Sequence, residues 1–281
     1  MRLSVVIVNY NGARFLEDAL DTILASQIQG EFEVIVVDNE SKDDSKHILD
    51  TYKNRVRVVY NNDNIGFAAA NNQGVDLAVG EFVFLLNNDT RTDPSTCARL
   101  MDALLANPLI GAVGPKLINA DGTEQLAGGI LGQRQYKTSV AKSVSFLSGA
   151  ALMMSRERYL ELGGFDEAFF FYNEDLDLCK RIQKSGYTLC FLPTSEVVHL
   201  GGQSTQFLRK KSLIEGYRGG LYFCYKHYGF FVYFLYRLIL IPVLVLMVLF
   251  YAITGWSFVR REQAMAFVEI LYRVLVKGYQ R

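Results

Sequence analysis

Glu174 and Asp175 are adjacent carboxylates that follow the aromatic run Phe169-Phe170-Phe171-Tyr172 and open a stretch of helical periodicity, Glu174 to Ser185. Acidic side chains favour a helix N-terminus, which is the ordinary reason to find them there. The helical phase adds a second reason, because Asp175 shares a face with Leu178, Cys179 and Ile182, at i+3, i+4 and i+7. On that phase Lys180, Arg181 and Lys184 point largely elsewhere. A carboxylate turned toward apolar surface beside another carboxylate has its pKa raised, which suits a general base. Asp89 stands just beyond the apolar run Phe82 to Leu86, after Asn87-Asn88, where a hard oxygen ligand could reach a Mg²⁺ or Mn²⁺ bridging two phosphates. An acid after a strand is more often a turn or cap residue, but Asp93-Pro94 supplies the nearby turn. His199 is one of three histidines, and a lone histidine is usually structural. It ends an apolar run before Gly201-Gly202, so it could complete a metal site with Asp89.

These residues need elements to position them. Leu3 to Val8 is a short β-branched run stopped by Asn11-Gly12, and a helix follows from Ala13 to Ser26 with Phe15, Leu16, Ala19, Leu20 and Ile23 at core spacing. A second strand spans Glu33 to Val37, a third Val56 to Tyr60 and a fourth Phe82 to Leu86. Helices run between them, one ending near Asn54 and another spanning Ala68 to Ala78. Strands that recur about every 25 residues with helices between them, apolar on both faces, predict βαβ units in a largely parallel sheet. In such sheets ligands bind beyond the carboxyl ends of the strands. The residues standing there are Asn9, Tyr10 and Asn11, then Asp38 and Asn39, then Asn87, Asn88 and Asp89. Beyond Gly111 the pattern is less regular and carries more loop.

Composition narrows the classes. Half of the 281 residues are hydrophobic and 21% are charged, so the chain can bury a substantial core. The formal net charge of zero gives no general field for nucleic acid. Cys97, Cys179, Cys190 and Cys224 have neither CxxC nor zinc-site spacing, and read as thiols in a reducing compartment. The N-terminal run is too short for a signal peptide, which places the bulk of the chain in the cytosol. Neither GxGxxG nor a P-loop is present, so phosphates require another device such as a divalent ion.

Taken in order, the motifs resemble those of the inverting family 2 glycosyltransferases. They are Ser4 to Gly12, Val36-Val37-Asp38-Asn39, Leu85-Leu86-Asn87-Asn88-Asp89, Gly163-Gly164-Phe165-Asp166-Glu167, Glu174-Asp175 and His199. Each is weak alone, and the resemblance runs from Leu3 to about Ser204. The segment Asn64 to Gly74 is similar to the rhamnosyltransferase-like branch. The resemblance implies a GT-A fold, a Rossmann-like α/β architecture with a mostly parallel sheet flanked by helices. It implies that Asp38 bonds the pyrimidine of a donor nucleotide, with Asn9, Asn11 and Asn88 lining that pocket. It implies metal contacts from Asp89 and His199, and a catalytic Asp175 beside Glu174. Asn87 and Asn88 replace acids of the fuller DxD pattern, so much of the ion's ligation would come from the donor's diphosphate.

Phe230 to Ile253 is apolar and long enough to span a bilayer, which needs about 20 residues. Both flanks are basic, with Arg209, Lys210, Lys211, Arg218 and Lys226 before it and Arg260, Arg261, Arg273, Lys277 and Arg281 after it. That charge favours both ends on the cytosolic face, and Pro242 could break the segment into two short helices. A re-entrant hairpin or interfacial helices are favoured over a clean span, and an oligomer interface would use the same surface. The division expected is a GT-A domain over 1–225 and a membrane-associated helical region over 226–281. A membrane-bound catalyst implies a polyprenyl-linked acceptor in cell-surface polysaccharide synthesis, and the resemblance implies the sugar moved to it, rhamnose from dTDP-rhamnose, with Mg²⁺ or Mn²⁺. The rival reading is a catalytically silent nucleotide-sugar-binding partner of another membrane enzyme. A nucleotidylyltransferase is a further alternative, but the N-terminal motif lacks the loop a triphosphate would need.

Overall fold

The computed structural model describes residues 2–125, 133–200, 209–254 and 258–278. The predicted Gly201-Gly202 turn, the end of the resemblance at Ser204 and the terminal Arg281 lie outside the described residues. The chain divides into two compact units, Met1–Glu167 with Glu174–Ser204 and Ala168–Asn173 with Thr205–Arg281.

The first unit is α/β. Strands β1 (Leu3–Asn9), β2 (Phe32–Asp38), β3 (Arg57–Tyr60) and β4 (Phe82–Asn87) alternate with helices α1 (Ala13–Leu24), α2 (Ser45–Tyr52) and α3 (Phe67–Leu77). They pair in the order β3-β2-β1-β4, all parallel. Next come β5 (Thr90–Thr92), α4 (Thr96–Ala106), β6 (Ile110–Ile118), β7 (Lys142–Val144) and β8 (Ala151–Ser155). Helices α5 (Arg156–Glu161) and α6 (Glu174–Lys184) precede the last strand, β9 (Thr188–His199). Among the described residues the sheet has nine strands and becomes mixed beyond β4, where β8 pairs antiparallel and β6 and β9 run parallel.

Alternation along the strands explains why they are apolar throughout. Leu3, Val5 and Ile7, with Val34, Val36, Phe84 and Leu86, join Leu16, Leu20, Ile23, Leu49 and Leu100 in one core. The intervening Val6, Ile35, Val83 and Leu85 join Ala68, Val75, Tyr159, Leu178 and Ile182 in the core on the other face. Period-two alternation thus feeds two separate cores, one on each side of the sheet. Helix α3 approaches the sheet closely at Gly74, where a Cβ would lie 2.4 Å from Val6 Cγ1.

The second unit is helical. Helix α7 (Arg209–Thr254) packs with α8 (Phe258–Tyr272) and a following π-helical turn (Arg273–Lys277) around Ile214, Leu221, Tyr233, Leu240, Leu244, Phe267, Ile270 and Val274. The segment Ala168–Asn173 belongs to this unit. Arg218 holds it by donating to the Ala168 carbonyl at 2.9 Å while pairing with Glu215. Tyr172 and Asn173 both have positive φ, 68° and 71°, a conformation that costs about 1–3 kcal/mol at each non-glycine residue.

Pro242 does not break the apolar segment, contrary to expectation. Helix α7 continues through it, and the interruption falls at Gly229, with φ 79° and ψ 178°. That conformation is essentially open only to glycine, whereas a proline can be carried within an apolar helix where local adjustments re-satisfy its freed carbonyl. The division expected at 225/226 falls inside α7.

Candidate active site

The carboxyl ends of β1, β2 and β4 place Asn9, Asp38 and Asn88 together. Asn9 is fully buried and donates through Nδ2 to Asp38 Oδ1 at 2.8 Å and to Ser41 Oγ at 3.1 Å. Its own Oδ1 accepts from Asn88 Nδ2 at 2.7 Å. The Ser41 amide donates to Asp38 Oδ2 at 3.1 Å, so each Asp38 oxygen receives one bond from the chain and keeps a further lone pair. Asn11 joins through the Ser41 loop. Its amide donates to Ser41 Oγ at 2.9 Å, and its Oδ1 accepts from the Lys42 amide at 2.7 Å. With φ at 48° it uses the left-handed conformation that asparagine tolerates. Asn39, beyond the same strand, accepts from the Ile65 amide at 3.1 Å and donates to Asn64 at 3.0 Å. That explains the Asn64 to Gly74 motif as a wall of the same edge.

The second cluster is built by β5 pairing antiparallel with β9, with Thr90 opposite His199. Asp89 precedes β5, so its Oδ1 comes 3.3 Å from His199 Nε2, and Asn87 Nδ2 lies 3.3 Å from the same nitrogen. His199 Nδ1 lies 2.8 Å from Gln125 Oε1, while Gln125 Nε2 donates to the His199 carbonyl at 2.6 Å and to Asn119 Oδ1 at 2.7 Å. Two carbonyl acceptors fix the Gln125 amide, which makes its Oε1 the acceptor facing the ring. Nδ1 therefore carries a proton, which leaves Nε2 as the ring nitrogen able to offer a lone pair beside Asp89. Gln125 was missed from sequence. It sits after a short hairpin on β6, and no spacing ties it to position 199.

A carboxylate oxygen and an imine nitrogen side by side suit a cation between them. Asn87 Oδ1 is buried without a hydrogen-bond partner close by, and an amide flip would present it to the same point. Asp89, His199 and Asn87 thus fit a divalent ion as an O,N,O set. Among the described residues no cluster of three or more His, Cys, Asp or Glu side chains occurs, so the remaining ligands would come from substrate or water.

The third cluster lies on α6. Asp175 Oδ2 accepts from the Gly149 amide at 3.0 Å, and Oδ1 from the Leu176 amide at 2.8 Å. The neighbouring Ala150 carbonyl accepts from the Asn87 amide at 2.9 Å, so residues 149 and 150 connect Asp175 to the end of β4. Gly149 is a second residue missed from sequence. Burial pushes the Asp175 pKa up, against the backbone donors of Gly149, Leu176 and Asp175 itself that oppose it. Burial pushes Glu174 well above the carboxylate range, and the adjacent Asp175 charge adds to it. Glu174 Oε2 is buried with no hydrogen-bond partner among the described residues.

Arg181 departs from expectation. It does not point away but is largely buried, pairing with the fully buried Asp177 at 2.7 Å and donating to the Leu162 and Gly164 carbonyls at 2.6 Å each. The Gly163 to Glu167 motif is therefore a bracket for α6. Asn72 completes it, accepting from the Phe165 amide at 2.9 Å and donating to the Phe165 carbonyl at 2.9 Å. Gly164, at φ 62°, would place a Cβ 2.5 Å from Asn72 Oδ1, so no side chain fits there.

Residues 4–163 match the family model described as glycosyl transferase family 2, more than half of the chain. The chain belongs to glycosyltransferase family 2. Residues 133–203 of this glycosyltransferase also match a model described as the N-terminal domain of galactosyltransferase. The glycosyltransferase is 29% identical over 238 residues, 72% of this chain and 77% of the other, to an N-acetylglucosaminyl-diphospho-decaprenol L-rhamnosyltransferase of Mycobacterium tuberculosis. It is 26% identical over 219 residues to the O-antigen biosynthesis protein RfbC of Myxococcus xanthus, covering 70% of this chain and only 17% of that one. Its fold resembles that of S. aureus TarS 1-349, with a TM-score of 0.60 and 15% identity over 100% of this chain and 93% of that one. It also resembles GalNAc-T7, solved with UDP, GalNAc and Mn²⁺, with a TM-score of 0.62 and 21% identity over 78% of this chain and 47% of that one. The fold is that of GT-A glycosyltransferases, as the motifs implied.

Proposed function

We propose that this glycosyltransferase moves rhamnose from dTDP-rhamnose, with inversion, onto the sugar of a polyprenyl-diphosphate acceptor at the cytosolic face of a membrane. The observation that carries the reading is the convergence of Asp175, held by the Gly149 amide, with the Asp89–His199 pair at one sheet edge. The identity to a rhamnosyltransferase whose name specifies a diphospho-decaprenol acceptor supports the choice of substrates.

In this reading the Asp38 carboxylate accepts from the imide N–H of the pyrimidine. Asn9 holds Asp38 in place, and Asn11 and Asn88 line the nucleotide pocket. The raised pKa of Asp175 fits it to take the proton from the acceptor hydroxyl. The hydroxyl oxygen then bonds to the anomeric carbon from the side opposite the nucleotide, as the bond from that carbon to the diphosphate oxygen breaks. The nucleoside diphosphate leaves, and configuration inverts. Asp89, His199 and Asn87 would hold a divalent ion, which would supply countercharge for the departing diphosphate. Glu174, with its unpartnered oxygen, is placed to bond a sugar hydroxyl when protonated. The region 226–281 associates with the membrane, bringing the enzyme to its lipid-linked substrate.

The test offers detergent-solubilised protein a panel of nucleotide sugars and polyprenyl-diphosphate-GlcNAc, with Mn²⁺, with Mg²⁺ and with chelator. Transfer from dTDP-rhamnose that is lost on chelation supports the reading. Asp175→Asn should lower kcat by about 10²–10⁴ with donor binding retained, the contribution of a positioned base. A variant near the wild-type rate would remove Asp175 from that role. Donor binding without transfer to any acceptor would leave the silent binding partner as the better description.

A further inference from the structure

The helical unit contains a cavity of about 780 Å³, a size that suits a small organic ligand. The first half of α7 lines it with Lys210, Leu213, Gly216, Tyr217 and Gly220, and the second half with Tyr236 and Leu240. Helix α8 adds Glu262 and Ala266, and the segment before the catalytic helix adds Tyr172 and Asn173. Only Lys210 and Glu262 among the lining residues are charged, with opposite signs, and Lys210 also pairs with Glu269 at 3.3 Å. A site of that balance is poorly suited to a bare phosphate. Ser212, Gln263 and Asn173 add neutral polar groups, and the larger apolar share, from the tyrosines, leucines, glycines and Ala266, suits a branched, flexible hydrocarbon instead.

Two glycines one helical turn apart keep the cavity open. A Cβ at Gly216 would lie 3.5 Å from Tyr172 Cδ2, and a Cβ at Gly220 3.4 Å from the Tyr236 hydroxyl. Both sites accept a methyl, and anything larger enters the cavity. Gly219 has a different task. A Cβ there would lie 2.7 Å from Asn173 Nδ2, so its absence seats the segment, which Asn173 fixes by donating to the Gly216 carbonyl at 3.1 Å. Beyond the cavity α7 exposes large apolar side chains along its second half, with Phe231 at 70% and Ile253 at 75% of full exposure. A surface of that kind favours contact with lipid over water.

We propose that this cavity receives the isoprenoid units nearest the diphosphate of the acceptor lipid. The inference rests on the polyprenyl-acceptor reading and deepens it. The wall formed by Tyr172 and Asn173 continues directly in the chain into Glu174 and Asp175, so an occupied cavity orders the segment that leads into the catalytic helix.

The experiment compares polyprenyl-diphosphate-GlcNAc with a methyl-diphosphate-GlcNAc acceptor in the full chain and in Gly220→Leu. Each buried methylene is worth about fourfold in affinity, so the wild type should show a KM at least roughly tenfold lower for the polyprenyl acceptor. Gly220→Leu should raise that KM about fivefold or more, leaving kcat and the KM for the methyl acceptor within about twofold. A chain-length preference unchanged in the variant would overturn the cavity assignment while leaving transferase activity intact. Should the variant fail to fold, a photoreactive prenyl diphosphate is cross-linked to the wild-type chain and mapped by mass spectrometry. Label on residues 210–220 or 262–266 supports the cavity, and label confined elsewhere overturns it. The cross-linking reads binding even where no transfer occurs, so failure of the rhamnosyl reading and failure of the lipid site give different results.

Discussion

Glu174 is held in a state that is costly for folding. It is buried, one oxygen has no partner, and burial together with the charge on Asp175 raises its pKa. Between the ordinary carboxylate pKa and this raised one, the folded protein holds a proton that the unfolded chain has released. Stability therefore falls as pH rises through that window and is recovered as pH falls below it. Glu174→Gln keeps the shape and removes the buried charge. It should raise Tm at pH 8 by about 2–4 °C if the gain is near 1 kcal/mol, with the difference shrinking toward pH 5. Thermal melts of both proteins across that range measure it, and an equal gain at every pH would show that charge is not the cause. Gln125 acts through His199. Gln125→Leu removes the acceptor that keeps the proton on Nδ1, and should weaken Mn²⁺ binding about 10–100-fold by paramagnetic titration. An unchanged Kd would mean the ring keeps its tautomer without Gln125.

At the scale of elements, α6 is fixed by one cation. Arg181 neutralises the buried Asp177 and also caps the Gly163–Gly164 turn through two carbonyls. Removing one partner of a buried pair leaves the other charge under-compensated, which costs up to about 3–5 kcal/mol. Arg181→Met should therefore lose that much in denaturant unfolding, and Asp177→Asn combined with Arg181→Met should lose less than the sum of the single variants. Additive losses would show that the two residues do not act as a pair. The sequence made α6 and its apolar face legible, because Leu178, Cys179 and Ile182 recur at helical spacing. It hid Arg181, since a basic residue on a helix is ordinarily solvated and its partner turn lies well away in sequence. Pro242 misled for a related reason. Proline breaks helices in water, and the signal that mattered was Gly229, whose backbone conformation no spacing rule announces.

Across the whole molecule, what could be read from the sequence follows the range of the contacts. The four parallel strands, their two-sided cores and the polar residues beyond their ends were legible because each rests on local alternation and a turn. The candidate carboxylates and His199 were legible as residue types in order. Their supports, Gln125 and the Gly149 amide, were not, because each meets its partner through a loop that carries no periodic signal. The mixed pairing of β6, β8 and β9 was hidden for the same reason, since antiparallel returns across long connections leave no mark on hydropathy.

One feature of the sheet bears on how the enzyme comes into being. Asn9 and Asp38 stand on β1 and β2 and Asn88 immediately follows β4, strands that are contiguous in the sheet and encoded before residue 90. Asp89 and His199 meet only when β9, the last strand made, pairs with β5. A chain still emerging from the ribosome can thus assemble the Asn9–Asp38–Asn88 edge early, while closure of the Asp89–His199 pair waits for a contact of long sequence separation. Incomplete chains would carry the first cluster without the second.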